Sequence, residues 1–390
     1  MIQFDFNEKC YGCGACVEAC PTHAIVMGEN CEGFMMPDID ETKCVGCNKC
    51  NTVCSRIAPP SGVDLSKSKV YSFFIENQEE RVKSTSGGAF YSLAREIISG
   101  GGIVCGCVWN PAMEAEIIAA EKIEDVEKMR GSKYVQSGIA CFGDIRTALR
   151  AGRKVLFSGV PCQVAAIQKL FPNEENLYTV ALLCENTSSP KAWRKYKETL
   201  QDENGALMIN AVHRKKAQYG WIAPIAEYEF ANGEKLHTLA YTLDEYVHNM
   251  IYGYFTRNSC YDCGFKGNSS AADLMIGDFW GLPRKDLFAS RNKGCSIVLV
   301  NTDKGMELFS RVKGCWYKET TLDAAKEKNP PLSHSVGRNP KRDVVLSALD
   351  ELPFREVVTR YCNMNTKKIR IQRIIHKLGL AGLAKIILRT

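Results

Sequence analysis

Two runs of cysteine dominate what this chain can fold into. The first is Cys10-x2-Cys13-x2-Cys16-x3-Cys20-Pro21, and the second is Cys44-x2-Cys47-x2-Cys50-x3-Cys54. The second repeats the first at an offset of 34 residues. Cysteine at every third position of a tight loop directs three thiolates into one small volume. Backbone N–H groups of the same loop then face the sulfurs, as a cubane iron–sulfur cluster requires. The fourth cysteine lies beyond a short helix and reaches the other cluster. The expected ligand sets are Cys10, Cys13, Cys16 and Cys54 for one [4Fe-4S] cluster, and Cys44, Cys47, Cys50 and Cys20 for a second. Gly12, Gly14 and Gly46 suit loops that must turn tightly. Ser55 stands where the first run has Pro21. Zinc is the alternative, but zinc knuckles use two CxxC units about a dozen or more residues apart, a pattern these runs do not follow.

Residues 4–57 closely resemble the bacterial-type two-cluster ferredoxins. The rest of the composition agrees with an intracellular setting. Nineteen cysteines in 390 residues would suggest disulfides only in an exported protein. The N-terminus has no basic region followed by an apolar stretch, and no apolar run approaches the roughly 18–20 residues that span a bilayer. The expected location is the cytoplasm. The net charge of +6 is concentrated at the end: residues 366–390 hold seven Lys or Arg and no acid. The remainder is nearly neutral, with no basic stripe for nucleic acid.

Ala58-Pro59-Pro60-Ser61-Gly62 breaks regular structure and reads as a linker. Strands are expected over Val70–Ile75, Ile103–Trp109, Lys154–Ser158, Tyr178–Cys184, Asp273–Gly277 and Ser296–Asn301. Helices are expected over Gly88–Ser99, Gln163–Phe171 and Pro190–Leu200. The succession from Lys154 to Cys184 is a strand–helix–strand unit and implies parallel pairing. Residues 206–242 suggest an antiparallel excursion turning at Asn232-Gly233. The fold class is α+β or α/β: a small ferredoxin-like two-cluster domain followed by a mixed α/β domain with a parallel strand–helix–strand unit. The expected boundaries are a ferredoxin domain over 1–58, a linker over 59–69, and one mixed domain in two parts over 70–150 and 151–330. A basic helical tail follows over 331–390. Its apolar residues allow a helix packed on the body, and its charge allows a docking surface for an acidic partner or for peripheral contact with anionic lipid.

Clusters pass single electrons, whereas most metabolites exchange two, and a flavin bridges the two regimes. Ser84-Thr85-Ser86-Gly87-Gly88-Ala89-Phe90 opens a helix with small residues, and a helix N-terminus favours phosphate. Ordinary capping would use the same residue types. This segment resembles the Ser-Ser-Gly-Gly segment of the beta subunits of coenzyme F-420 hydrogenases and dehydrogenases. Further resemblances follow in the family's order: Arg130-Gly131-Ser132-Lys133-Tyr134-Val135-Gln136-Ser137, Gly159-Val160-Pro161-Cys162-Gln163, Cys260-x2-Cys263 and Ile276-Gly277-Asp278-Phe279-Trp280-Gly281. The resemblance covers about residues 70–310. It implies an FAD site in a flavin-binding α/β domain, iron–sulfur centres, and exchange with a two-electron carrier. Carried over by position, Ser86, Gly87, Gly88, Ser132, Lys133 and Tyr134 are the flavin candidates. Lys133 as a solvated loop lysine is the plainer alternative.

A third four-thiolate set is expected outside the ferredoxin part. Cys162 and Cys184 follow strands that, if parallel, end at one carboxyl edge, where α/β folds place ligands. Cys260 and Cys263 add a CxxC loop. These four are expected to hold a third [4Fe-4S] cluster, with zinc as the rival and simple core packing as the plainer reading of Cys162 and Cys184. Cys31, Cys105, Cys107, Cys141, Cys295, Cys315 and Cys362 read mostly as packing. His248 reads as structural, and no catalytic residue stands out.

The leading function is an iron–sulfur flavoprotein oxidoreductase that passes single electrons between [4Fe-4S] clusters and FAD and exchanges hydride with an F-420-type carrier or another substrate. The alternative is an electron-transfer subunit of a larger complex without its own substrate. A zinc-structured interaction protein is a third reading. Expected partners are a redox protein or ferredoxin-type donor and a small-molecule carrier.

Overall fold

The computed structural model describes residues 2, 5–216, 219–267, 269–282, 292–362, 364 and 371. In the ferredoxin region, the helix Ala15–Ala19 starts after Gly14, and the helix Lys49–Val53 starts after Asn48. Both preceding residues lie in the left-handed region, with φ 77° and 59°, at equivalent positions of the 34-residue repeat. Cys20 and Cys54 end the two helices, so the last cysteine of each run is carried away from its own loop. Between the runs, β1 (Ile25–Glu29) and β2 (Met35–Ile39) form an antiparallel hairpin with Met27 opposite Pro37.

Residues 59–69 are more ordered than a linker needs to be. β3 (Val63–Asp64) leads into a single 3-10 turn, Leu65–Lys67, with Leu65 buried. β3 pairs with β13 (Ser269–Ser270), two hundred positions along the chain.

The body is built on a nine-stranded mixed sheet. Its strands are β4 (Lys69–Ile75), β5 (Ile103–Trp109), β6 (Ala115–Ala120), β7 (Gly138–Ile139), β8 (Val155–Gly159), β9 (Leu177–Leu182), β14 (Leu274–Asp278), β15 (Ser296–Val300) and β16 (Cys315–Thr320). The spatial order is β16-β4-β15-β14-β9-β8-β5-β6-β7. β5, β8, β9 and β14 run parallel, and β15 pairs antiparallel with both β14 and β4. Every residue of β8 and of β15 is buried, as expected for strands covered on both faces. Alternation along β8 sends Val155 and Phe157 to a core shared with the helices Phe142–Arg150 and Pro161–Leu170. Leu156 faces the opposite core, with Leu93, Ile97 and Phe309.

The strand–helix–strand unit is parallel as expected. Its helix starts at Pro161 rather than Gln163, because proline at the first helical position loses no hydrogen bond. The helix from Pro190 runs on to Asn204 and stops at Gly205, φ 63°.

The excursion is a three-stranded antiparallel sheet of β10 (Met208–Lys215), β11 (Ile225–Phe230) and β12 (Lys235–Leu239). Gly233, φ 85°, turns the second hairpin. Helices Pro190–Asn204, Glu245–Ile251, Arg342–Glu351 and Phe354–Tyr361 contribute to the core under this sheet. Residues 342–361 therefore belong to a packed lobe rather than to a tail. The basic stretch beyond lies, apart from residue 371, outside the described residues. Among the described residues no helix is long and apolar enough to cross a membrane.

Candidate iron–sulfur and flavin sites

The thiols of Cys10, Cys13, Cys16 and Cys54 line one hollow of about 390 Å³. Those of Cys20, Cys44, Cys47 and Cys50 line another of about 370 Å³. The exchange of the fourth cysteine between runs is thus a property of the backbone, produced by the two helices that carry Cys20 and Cys54 across. Backbone N–H groups point at sulfur: Gly12 N donates to Cys10 Sγ at 3.2 Å and Ala24 N to Cys20 Sγ at 3.3 Å. Gly12 and Gly46 have φ of 64° and 67°. Gly46 has open space around it, so its backbone alone calls for glycine. At Gly12 a Cβ would lie 2.3 Å from Gln136 Nε2 and 2.5 Å from Met35 O. Among the described residues no three His, Cys, Asp or Glu side chains converge closely enough to hold one metal ion. Hollows ringed by four spread thiols fit an inorganic core of several atoms better.

The two sets differ in surroundings. The set with Cys10, Cys13 and Cys16 faces the body, and burial pushes the Cys13 thiol up to about 12. The other lies outward, with Cys47 exposed and Val45 67% exposed. The inner face is held by many bonds. Met35 N donates to Gln136 Oε1 at 2.9 Å, Arg146 pairs with Glu18 at 2.6 Å, and Asn258 Nδ2 donates to Glu8 at 3.1 Å. Arg342 pairs with Glu32, and Arg56 with Asp262.

Cys162 is the second residue of its helix, directly after β8, and Cys184 lies two residues beyond β9. Cys260 ends the 3-10 turn Asn258–Cys260, with Cys263 following. Cys162 feels the charge of Cys263, Cys184 and Cys260, Cys184 that of Cys260 and Cys263, and Cys260 that of Cys263. Burial raises Cys184 to about 12 and moves Cys162 and Cys260 in the same direction. Cys162 also feels Cys13 of the inner ferredoxin set. Arg257 lies at that junction. Burial pulls its pKa down, while Cys10, Cys260, Cys162 and Cys13 push it up.

The flavin candidates gather at the same carboxyl edge of the sheet. β4 and β14 end there, and β15 begins there, with Ser296 opposite both Asp278 and Phe73. Ser86 Oγ donates to Cys295 O at 2.8 Å, and Gly87 N to Ser296 Oγ at 3.0 Å. A Cβ at Gly87 would lie 2.2 Å from Phe73 O, and one at Gly88 2.5 Å from Ile75 Cδ1. Strand packing alone therefore explains both glycines. Gly88, φ 97°, opens the helix Ala89–Ser99 with no side-chain cap, so first-turn N–H groups remain for another acceptor. Ser132 Oγ meets Thr85 Oγ1 at 3.2 Å, and Tyr134 N donates to His213 Nδ1 at 2.9 Å. Lys133 is not a solvated loop lysine. Its ammonium donates to Lys128 O at 2.9 Å and Arg130 O at 3.0 Å, and burial lowers it to about 8.

Sequence reasoning missed the charged groups behind this edge. Lys216 is buried and donates to Arg81 O at 2.8 Å, Ser86 O at 2.5 Å and Lys293 O at 2.6 Å. Burial, reinforced by Arg81, Arg214 and Arg130 and opposed by Asp278, lowers it to about 6. Arg214 forks onto Asp278 at 2.5 and 3.2 Å, and Trp221 Nε1 donates to the same carboxylate at 2.5 Å. Trp221 is core, while Trp280, stacked on it at 4.9 Å, is 39% exposed. Arg130 Nε, Arg214 Nε and His213 Nε2 are buried without a partner among the described residues. Buried donors without a partner, near a sheet edge that carries Lys133 and Arg214, fit a polyanionic nucleotide cofactor. No motif flags Lys216 or Arg214, because each lies on an otherwise ordinary strand end.

Of the remaining cysteines, Cys105, Cys141, Cys295 and Cys362 are buried, and Cys107 and Cys315 are partly so. Cys31 is exposed, which corrects its reading as packing. Cys105 and Cys107 face the same core, two apart on β5. His248 Nδ1 meets Tyr241 O at 2.9 Å.

Comparison with known proteins defines the class. Residues 9–58 match the 4Fe-4S dicluster domain, and residues 152–323 match the C-terminal part of the coenzyme F420 hydrogenase/dehydrogenase beta subunits. The chain thus resembles that oxidoreductase family over residues 152–323 and carries a 4Fe-4S dicluster domain at its N-terminal end. Among individual relatives, the F subunit of the F(420)H(2) dehydrogenase of Methanosarcina mazei is 23% identical over 321 residues, covering 79% of this chain and 83% of that protein. An uncharacterized protein of Methanocaldococcus jannaschii is 24% identical over 362 residues, covering 78% and 87%. A chain of the F420-reducing [NiFe] hydrogenase complex from Methanosarcina barkeri aligns with 19% identity and a TM-score of 0.43, over 80% of this chain and 94% of that one.

Proposed function

We propose that this chain is an iron–sulfur flavoprotein oxidoreductase, with two [4Fe-4S] clusters in the ferredoxin region, a third in the body, and FAD at the sheet edge. When bound, the clusters supply single-electron exchange and FAD supplies hydride exchange with a carrier of the F420 type or another two-electron substrate. Cys10, Cys13, Cys16 and Cys54 hold the inner ferredoxin cluster, and Cys20, Cys44, Cys47 and Cys50 the outer one. Cys162, Cys184, Cys260 and Cys263 hold the third. The observation that supports this reading is the presence of two four-thiol hollows in the ferredoxin region, with Cys162 of the body set feeling the charge of Cys13 of the inner one. Lys133 and Arg214 would supply positive charge to orient a pyrophosphate, beside Ser86, Gly87, Gly88, Ser132 and Tyr134. Anaerobic reconstitution tests it: about twelve irons per chain and one extractable FAD are expected. About eight irons with one zinc would remove the third cluster, and no retained flavin would remove the FAD site.

A second reading is an electron-transfer subunit without its own substrate. It is favoured by the relative named as part of a dehydrogenase and by the exposed apolar Val45 beside the outer thiols, which suits a redox protein partner. Reduction of a two-electron carrier by the isolated, reconstituted chain would exclude it.

A further inference from the structure

Arg257 is fully buried, yet among the described residues no carboxylate pairs with it. Its Nε donates to Cys10 O at 2.7 Å, and its Nη2 to Met35 O at 3.1 Å and Met36 Sδ at 2.8 Å. The guanidinium lies 5.2 Å from the ring centre of Phe34. Nη1 has no partner among the described residues and sits against the first cysteine loop, where a Cβ on Gly12 would come within 2.8 Å of it. Its own backbone starts the other cysteine loop: Cys260 N donates to Arg257 O at 3.1 Å, and Arg257 N to Thr187 O at 3.0 Å. One residue therefore bonds the Cys10–Cys13 loop through its side chain and the Cys260–Cys263 loop through its main chain. The thiols that dominate its field are Cys10, Cys260, Cys162 and Cys13, drawn from two different sets.

Leaving such a cation buried without a carboxylate is costly unless something anionic compensates it. Arginine does not escape by losing its proton. Four-iron clusters on four thiolates are net anions that become more negative on reduction, and their potentials respond to nearby charge and to hydrogen bonds at sulfur. We propose that Arg257 is the shared counter-ion of the inner ferredoxin cluster and the cluster on Cys162, Cys184, Cys260 and Cys263, and that it raises the reduction potential of both relative to the outer cluster. It is a positioning residue: it touches the ligand loops and biases where the electron rests. The effect is to draw electrons inward from the exposed set. Its extension to the third cluster rests on the function proposed above.

The test is an EPR-monitored redox titration of the full reconstituted chain. Arg257→Met removes the charge without leaving a new buried polar group; Arg257→Gln is the second neutral variant should the first not assemble; Arg257→Lys keeps the charge. In a neutral variant the inner ferredoxin cluster and the third cluster are expected to become harder to reduce by tenfold or more, about 59 mV for a one-electron couple. The outer cluster should hold its potential, and Arg257→Lys should recover most of the shift. An unchanged inner cluster, an equal shift in all centres, or an Arg257→Lys variant no better than the neutral ones would overturn the proposal. If wild-type iron stops near eight per chain, the third cluster is lost as a reading, and the inner cluster's shift against the outer one still decides the role of Arg257.

Discussion

At the scale of the residue, the informative positions are those where backbone or burial leaves little choice. Gly12 combines a positive φ with no room for a Cβ. Gly12→Ala should cost about 1–3 kcal/mol from overpacking, with a further ~1–2 kcal/mol from the left-handed backbone. Denaturant titration of the reconstituted chain checks this, and Gly46→Ala, with open space around it, should cost only the backbone part. Lys216 gives a pH prediction. Its value of about 6 in the folded chain lies below the ordinary 10.5. Between those two pH values the unfolded chain holds a proton that the folded chain has released. Stability from this group is therefore lowest at and below pH 6 and rises as pH climbs toward 10.5. Lys216→Met should flatten the rise of flavin-free stability with pH. A slope identical to wild type would show that the lysine is not held neutral. Neither Lys216 nor Arg257 was legible in the sequence, because a single lysine or arginine carries no spacing signal.

At the scale of the element, two helices and one cap show how position becomes function. The helices Ala15–Ala19 and Lys49–Val53 exchange the fourth cysteines. Cys54→Ser should therefore damage the cluster of the first run, and Cys20→Ser that of the second. The outer cluster's EPR signal should survive in Cys54→Ser. Loss of the second-run signal instead would mean that each run closes its own cluster. In the lobe below β10–β12, Asp244 caps the helix Glu245–Ile251. It also accepts from Tyr196 at 3.1 Å, Tyr228 at 2.9 Å and Thr238 at 2.7 Å. Asp244→Ala strands three buried hydroxyls and two N–H groups. It should lower stability by roughly 5 kcal/mol or more, since each of the five unmade buried bonds costs ~1–3 kcal/mol, as read by thermal unfolding.

At the scale of the whole molecule, the ferredoxin region is locked to the body rather than tethered. Arg257, Gln136, Arg342 and Arg146 each bridge the two. A single proteolytic cut within residues 59–62 should leave both fragments co-eluting on gel filtration without loss of iron. Fragments that separate would mean that the contacts between them contribute little.

The cysteine spacing by itself determined the dicluster region, including which thiols share a hollow, because a cubane ligand loop is a local structure written in consecutive residues. The strand–helix–strand unit and the hairpin at Asn232-Gly233 were legible for the same reason: periodicity and turn chemistry act over short range. Only the tertiary structure decided what meets at the carboxyl edge. Cys162, Cys184 and Cys260 are far apart in sequence, and parallel pairing of β8 with β9 is what brings the first two to one side. Closure of the same sheet explains why Gly87 and Gly88 are shaped by Phe73 and Ile75, and long-range packing explains why the helices within 342–361 belong to the core. A non-local contact leaves no mark on either partner's neighbours in the chain, so its chemistry becomes readable only once the sheet has closed around it.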